Sequence, residues 1–268
     1  MPKNKNNRII KTFAFILAAI VIISMLGGIY ALCITVFDLF QSNQIENQIQ
    51  YDSLMSSLDI DLKTANLEIK LGDKLLVSTT NKYVTTYQNN NNIVIQEKKH
   101  SILSKDNNKV IITVPDNFLL DIVEIDITSG SIKIDKLETK RLNLDLGSGT
   151  TKINNLLVTD KTKIDCGSGK FLLNNGNLSN LNLDAGLGDT ILNTKIIGNS
   201  NIETDIGKLE LNLIGSIDDY KIKVNKGIGN VEINNKTAVD GEIVGTGINY
   251  IDIDAGIGKV NVIFKENT

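Results

Sequence analysis

Apolar and polar residues alternate along most of the chain after residue 58, and from residue 121 a glycine step interrupts the alternation at regular intervals. A period near 20 residues, kept over seven units, is typical of proteins built from stacked repeats. The second glycines of the step follow one another at intervals of 19, 20, 19, 19, 22 and 29 residues: Gly130, Gly149, Gly169, Gly188, Gly207, Gly229 and Gly258.

The residues on both sides of each glycine have the spacing of β-strands that bury one face, since side chains two positions apart in a strand share a face. Two and four positions after the glycines, twelve of fourteen residues are apolar and the other two are threonine. Seven and five positions before the glycines the residues are again mostly apolar, as at Leu142 and Leu144. Each repeat is therefore predicted to hold two short strands that flank a glycine corner.

A repeat of this length is too short for a strand with a crossover helix, which needs roughly 30 residues. The sequence therefore predicts an all-β fold, a single-stranded parallel β-solenoid (β-helix-like) with coils of about 20 residues stacked about 4.8 Å apart. Residues 121–268 are assigned to the solenoid repeats. Residues 58–120 alternate but lack the glycine step, and they are predicted to cap the solenoid and protect its first coil from edge-to-edge pairing.

Polar residues recur in one register five positions after the glycine. Stacked side-chain amides can hydrogen-bond from one coil to the next. We therefore expect a ladder at this corner, which begins with an aspartate and continues with asparagines: Asp135, Asn154, Asn174, Asn193, Asn212 and Asn234.

A second polar column lies four residues before each glycine, where alternation places side chains on the outside: Asp126, Asp145, Asp165, Asp184, Glu203, Asn225 and Asp254. A hard cation such as Ca²⁺ could bridge stacked carboxylates, with Asp145, Asp165 and Asp184 as the candidates. Alternatively, each carboxylate accepts backbone N–H bonds at its own turn and stays solvated. The spacing lacks the GGxGxD nonapeptide of calcium-binding solenoids, so we expect no metal and no cofactor.

The N-terminal part of the chain predicts a membrane anchor. The run from Phe13 to Phe37 contains no charged residue, and 25 residues at 1.5 Å each exceed the roughly 30 Å hydrocarbon core. We assign residues 12–37 to a transmembrane helix and residues 38–57 to a polar stalk or linker. A cleaved signal peptide is the alternative, but its apolar region spans about 7–15 residues before a small-residue cleavage site, and no such site follows here.

Charge distribution sets the predicted orientation. Four cations in residues 1–11 precede the apolar run, so the positive-inside rule places this tail in the cytoplasm and the C-terminal domain outside the cell membrane. The rest of the chain carries 28 − 4 = 24 basic and 31 acidic residues, a net charge of −7. An acidic surface of this kind argues against nucleic acid and against anionic lipid as partners.

Side-chain chemistry gives little support to catalysis. Sites of carbohydrate-active enzymes combine paired carboxylates with aromatic platforms, whereas this chain has no tryptophan. Its lone histidine, His100, lies in the polar run EKKHS, and its outer tyrosines are predicted to be scattered: Tyr83, Tyr87, Tyr220 and Tyr250. Cys33 in the predicted helix and Cys166 in the repeats cannot pair within one chain, so no intramolecular disulfide is expected.

The repeats resemble a known family. The stretch KVIITVPDNFLLDIVEIDITSGSIKI from Lys109 to Ile134, followed by LNLDLGSGTTKINN and LNLDAGLGDTILN, is similar to the putative adhesin family of bacterial membrane-anchored β-solenoid domains. Val114 and Pro115 match the Val-Pro that ends a strand in that family, and the resemblance covers about residues 58–264. It implies a domain of unassigned function at the bacterial cell surface, with adhesion inferred from shape, some relatives linked to envelope stress, and no catalytic residue.

We therefore expect a non-enzymatic surface domain that binds a protein or an envelope component. A carbohydrate-active β-helix enzyme is the less favoured alternative. A self-assembling structural solenoid is the other, because the terminal strand KVNVIF at 259–264 is predicted to leave an open edge through which homo-oligomers could form.

Overall fold

The computed structural model describes residues 47–52, 54–98 and 108–265. The predicted cytoplasmic tail, the predicted transmembrane helix at 12–37, Cys33 and His100 lie outside the described residues. Within the described ranges, no helix is long and apolar enough to cross a membrane.

The regular structure of the described residues consists of β-strands and one 3-10 helix, Ile217–Asp219. This confirms the prediction of an all-β fold. The strands are β1 Asn47–Gln50, β2 Ser57–Leu62, β3 Asn66–Gly72, β4 Leu76–Thr79, β5 Val84–Asn89, β6 Asn92–Glu97, β7 Lys109–Pro115, β8 Leu119–Ser179, β9 Leu181–Asp184, β10 Leu187–Ile197, β11 Asn199–Ile214, β12 Tyr220–Ile233, β13 Lys236–Thr237, β14 Ile243–Val244 and β15 Asn249–Lys265.

Strand β8 shows how the repeats stack. Its 61 residues run without interruption through the first three glycine steps. In the next coils Gly188 pairs with Gly169 and Gly207 pairs with Gly188, in parallel and in register. The chain therefore forms the predicted parallel β-solenoid, with each coil hydrogen-bonded to the one beside it.

The interior of the solenoid is a continuous column of mostly aliphatic side chains. The residues predicted to point inward, two and four positions after and five and seven positions before each glycine, are all buried. A further buried run, which the sequence pattern did not predict, follows in each regular coil and includes Leu137, Leu156, Leu178 and Ile196. Residues 194–197 pair in parallel with residues 176–179, so this run is a third strand segment of the coil.

The coils at the C-terminal end do not stack in chain order. Strand β15 lies between β11 and β12, and Gly258 pairs with Gly207 on one side and with Gly229 on the other. The predicted open edge at residues 259–264 is therefore wrong, because this strand has a parallel partner on each side. Residues 234–248 lie in the long interval of 29 residues before Gly258. They cross the coil of Gly229, which is the terminal coil of the stack, and lead into β15.

Short antiparallel strands cover the terminal coil. Strand β14 pairs with the start of β12 and strand β13 pairs with its end. Tyr220, which the sequence suggested as an outer aromatic residue, is fully buried here. Its hydroxyl donates to the carbonyl oxygen of Ile214 at 2.7 Å, and its ring lies 5.8 Å from that of Phe264. The end of the solenoid is thus closed by packing as well as by strand pairing.

At the N-terminal end, too, the coils do not stack in chain order. Strands β2 and β3 form a coil in register with the first glycine repeat, while β6 and β7 pair with their other edges. Strands β1, β4 and β5 are antiparallel and cover this outer coil. The segment assigned to the cap therefore supplies solenoid coils as well as a cover, and β1 lies within the segment assigned to the linker.

Glu97 supports the corner of the coil that lacks the glycine step. Its carboxylate accepts hydrogen bonds from the backbone N–H groups of Lys63, Thr64 and Ala65 at 2.7, 2.8 and 3.1 Å. The side-chain amide of Asn81 donates to it at 3.0 Å. Burial raises the pKa of Glu97, but the hydrogen bonds from the backbone and hydroxyl donors together lower it by more than burial raises it. The pKa of Glu97 therefore lies below its ordinary value.

We expect Glu97→Gln to lower the free energy of unfolding at pH 7 by about 2 kcal/mol, because hydrogen bonds to a buried charged group are lost. A carboxylate with a depressed pKa contributes stability above its unfolded value of 4.5 that disappears as the pH falls through the folded value. The difference between the variant and the wild type should therefore shrink below about pH 4. Urea unfolding at several pH values measures it. Glu124→Gln, at an exposed position, is the matched control, and equal effects of the two variants at all pH values would contradict the assignment.

Candidate binding surface

The glycine step lets adjacent coils approach closely at one corner. Gly149 has a φ of 144°, and a Cβ atom there would overlap the carbonyl oxygen of Gly130. Gly169 has a φ of 149° and faces Gly149 in the same way. L-residues rarely adopt this region of φ, so the corner combines a backbone constraint with a steric one. The predicted glycine column is therefore a structural feature of the fold.

The predicted asparagine ladder is shorter than the sequence pattern suggested. The amide of Asn154 donates to Asp135 at 3.3 Å, and that of Asn174 donates to Asn154 at 2.9 Å. In the next coil Asn193 donates instead to the carbonyl oxygen of Leu173 at 3.0 Å, beside an irregularity in strand pairing. Asn234 lies in the terminal coil, and Asn212 pairs with Ile263 of the inserted strand β15.

The acidic column is longer than predicted. Asp61 of β2 joins it by pairing with Asp126, and Asp254 pairs with Glu203. Asn225 ends the column, and its amide donates to Asp254 at 2.5 Å. Seven consecutive coils therefore place a carboxylate on one line: Asp61, Asp126, Asp145, Asp165, Asp184, Glu203 and Asp254.

Stacking of these carboxylates has an electrostatic cost. Burial raises the pKa of Asp165, and the neighbouring Asp184 and Asp145 raise it further. Burial likewise raises the pKa of Asp126, against the opposing effect of Lys63. Like charges on neighbouring strands destabilise a sheet. The column is thus held in place by the core and the backbone ladder while its charges repel one another.

We expect Asp165→Asn to raise the free energy of unfolding at pH 7 by about 0.5 kcal/mol, because one member of a like-charge row is removed. An acid with a raised folded pKa costs stability as the pH rises from its unfolded value of 3.8 through the folded value, so the gain should vanish near pH 3. Added salt should reduce it. Thermal unfolding at low and high ionic strength measures the effect. Asp160→Asn, an exposed change outside the column, is the control, and destabilisation by Asp165→Asn would contradict the argument.

The three metal candidates, Asp145, Asp165 and Asp184, lie one per coil in this column. Among the described residues, no group of three or more His, Cys, Asp or Glu side chains is arranged to hold a metal ion. Asp184 accepts a hydrogen bond from the backbone N–H of Gly186 at 2.9 Å, as the alternative interpretation predicted for a turn carboxylate. Nearby Cys166 is a buried free thiol whose pKa burial raises to about 12, so it is a packing residue.

An exposed apolar column, which the sequence reasoning missed, runs along the glycine corner immediately before the second glycines. Its four members lie on successive coils in the order Leu187, Ile206, Ile257 and Ile228. They are 49%, 53%, 49% and 76% exposed. In the first three repeats the same position is serine, at 129, 148 and 168. This change from serine to aliphatic residues is visible in the sequence and is the signal from which the column could have been predicted.

An acidic cleft adjoins the apolar column near the C-terminal end of the solenoid. It is open, has a volume of about 330 Å³, and is lined by residues of β11, β12, β15 and the crossing segment 234–248. Asp240 of that segment accepts a hydrogen bond from the backbone N–H of Lys226 at 2.8 Å, which holds the segment against the corner. Four carboxylates and one ammonium group contribute to its walls: Glu203, Asp205, Asp240, Asp254 and Lys226.

The parallel coils, the glycine corner and the columns on the outer surface define a β-solenoid repeat protein. The family model of Toastrack DUF4097 matches residues 55–267, and the chain belongs to this family. This confirms the resemblance to the bacterial adhesin-like domains that the repeats suggested. A comparison with the curated proteins found no match.

Three solved structures are similar to the chain at low identity. A putative cell adhesion protein from Clostridium sporogenes is 17% identical, with 82% of this chain and 98% of that chain covered and a TM-score of 0.40. A putative adhesin from Bacteroides fragilis is 12% identical, with 81% and 97% covered and a TM-score of 0.40. A putative adhesin from Parabacteroides distasonis is 16% identical, with 82% and 95% covered and a TM-score of 0.34.

Proposed function

We propose that the chain is a non-enzymatic, membrane-anchored binding domain, which stands outside the cell membrane and recognises a protein or an envelope component through the side of its solenoid. The anchor is the uncharged run Phe13–Phe37, and the four cations before it keep the N-terminus in the cytoplasm. The solenoid serves as a rigid support for the binding surface.

The observation that carries the proposal is the exposed apolar column at the glycine corner. None of its four side chains belongs to the buried interior column, and each leaves about half or more of its surface exposed. Contiguous exposed apolar side chains rimmed by polar residues mark interaction sites in soluble domains. In this chain the rim is the acidic column on one side and the charged residues Asp189, Lys208 and Lys259 on the other.

Cysteine labelling on intact cells tests the orientation. Thr150→Cys places a thiol at an exposed corner position, and Lys5→Cys places one in the predicted cytoplasmic tail. A membrane-impermeant maleimide should label the first variant on intact cells and the second only after lysis. Native Cys166 is buried and its thiol pKa is about 12, so the wild type is the background control. Labelling of Lys5→Cys alone on intact cells would contradict the proposed topology.

Photocrosslinking in the native membrane tests binding. A photoreactive residue is placed at Lys208, beside the apolar column, or at Thr150, which occupies the same register beside the serine part of that line. We expect a discrete crosslinked protein or glycan from position 208 and little from position 150. Equal or absent crosslinking from the two positions would overturn the proposal that this surface binds.

A further inference from the structure

The apolar column and the acidic cleft form one continuous surface, the C-terminal corner. Asp205 directly precedes Ile206 in the chain, and the cleft residues Gly227 and Gly256 directly precede Ile228 and Ile257. The four aliphatic side chains span about 14 Å, since adjacent coils are about 4.8 Å apart. A ligand that lies along the corner therefore meets a short apolar line and a row of carboxylates together.

The charges of the cleft are not neutralised within the described part of the chain. None of its four carboxylates forms an ion pair with a described residue: Glu203, Asp205, Asp240 and Asp254. Lys226 is the one cation among the residues that line it. Other acidic residues of the solenoid do have lysine partners, as Glu68 has with Lys109 at 2.6 Å. The cleft thus combines an unneutralised negative charge with a volume at the lower end of that of ligand pockets, roughly 300–1,000 Å³.

We propose that the C-terminal corner binds a segment of a partner protein in which basic and branched apolar residues alternate. This inference rests on the proposed binding function and assigns the chemistry of its partner. The basic side chains enter the cleft toward Glu203, Asp205 and Asp254, and the apolar side chains lie along Ile206, Ile257 and Ile228. Charge complementarity fixes partner choice, and burial of the apolar column supplies affinity.

A second copy of the chain fits this corner less well. Beyond residue 37 the chain carries 24 basic and 31 acidic residues, so another solenoid brings further negative charge to the cleft. The Lys208 and Lys259 side chains beside the column are already engaged, Lys208 with Glu210 and Lys259 with Glu232 at 3.0 Å. A basic segment of a different protein is the better electrostatic match.

Binding of synthetic peptides to the full chain in detergent tests the inference. The probe is a twelve-residue peptide of alternating arginine and isoleucine, and the controls replace arginine by glutamate or isoleucine by serine. We expect measurable binding by fluorescence anisotropy to the probe alone, weakened by added salt because the contacts are ionic. Absence of probe binding, or equal binding of the serine control, would overturn the inference.

Matched variants locate the site. Ile206→Ser with Ile257→Ser installs the residue that the chain itself carries in this register at Ser148, and Glu203→Gln with Asp205→Asn removes charge without changing shape. Each pair should raise the Kd of the probe about tenfold, as loss of contacts at the centre of an interface does. Leu54→Ser and Asp160→Asn, at exposed positions elsewhere, should leave the Kd unchanged. Unchanged binding in both pairs would overturn the assignment to this corner, and melting curves verify that each variant is folded.

The crosslinking from position 208 separates the two proposals. A captured protein together with failure of the arginine–isoleucine probe leaves the binding function intact and refutes the partner chemistry. Capture of a second copy of the same chain also refutes it, in favour of self-association. Capture of a different protein that carries a basic and apolar segment, whose deletion abolishes capture, supports it.

Discussion

Replacing Gly169 with alanine should lower the free energy of unfolding by about 3–5 kcal/mol, because a residue with a Cβ atom must adopt a disfavoured φ and also displace backbone. The φ of Gly169 is 149°, and the added Cβ would overlap the carbonyl oxygen of Gly149 in the adjacent coil. That atom belongs to the backbone ladder and cannot rotate away. A domain of this size should lose about 10 °C in melting temperature for such a change.

Ser168→Ala is the matched control, since Ser168 is exposed and directly precedes Gly169. It should change the free energy of unfolding by no more than about 0.5 kcal/mol, the usual range of substitutions at exposed positions. Gly241→Ala is a second control, because Gly241 also has a positive φ, 75°, but nothing lies within 4 Å of its added Cβ. If Gly241→Ala were as costly as Gly169→Ala, the close approach of the coils would not be the cause.

The course of a single coil could be predicted because burial dictates it residue by residue. The alternation that placed Leu144, Phe171 and Leu192 inward follows from the geometry of a strand, and each of them is buried. The third strand segment was missed because it is short and partly built from small or polar residues, such as Thr139 and Gly176. Such residues can be buried between coils without producing an alternating apolar pattern.

The order of the coils could not be predicted because every coil offers the same register to its neighbours. Gly207 can stack against Gly229 or Gly258 with the same aliphatic side chains beside it, so periodicity does not choose between them. The intervals of 22 and 29 residues were the one signal of an exception. Because β15 is inserted between β11 and β12, both of its edges are paired, and this apolar strand presents no open edge.

The candidate surface was only half visible in the sequence. The acidic column was found because its residues share a register, and the apolar column shares one too, as Ile206 and Ile257 show. The cleft was not visible, since Asp240 comes from the non-repeating segment 234–248 and only the fold brings it beside Glu203. A site that combines repeat positions with an insertion needs the three-dimensional order of the coils.

Replacing Leu144 with aspartate should abolish the cooperative unfolding transition of the solenoid. Leu144 is 1% exposed and lies in the middle of the interior column. Its replacement removes a buried side chain worth about 1.5–3 kcal/mol and adds an unpaired carboxylate that costs several more. Because each coil contacts only its neighbours, a defect in a central coil separates the two halves of the stack.

Circular dichroism during heating measures the transition, and Thr150→Asp is the control that adds the same charge at an exposed position of the same coil. Thr150→Asp should retain a cooperative melt. The asparagine of Leu144→Asn has about the volume of aspartate but carries no charge. The stability of this variant should fall between those of the wild type and Leu144→Asp, because an unpaired buried amide costs less than an unpaired buried carboxylate. Retention of a wild-type melt by Leu144→Asp would mean that the inward register assigned to this strand is wrong.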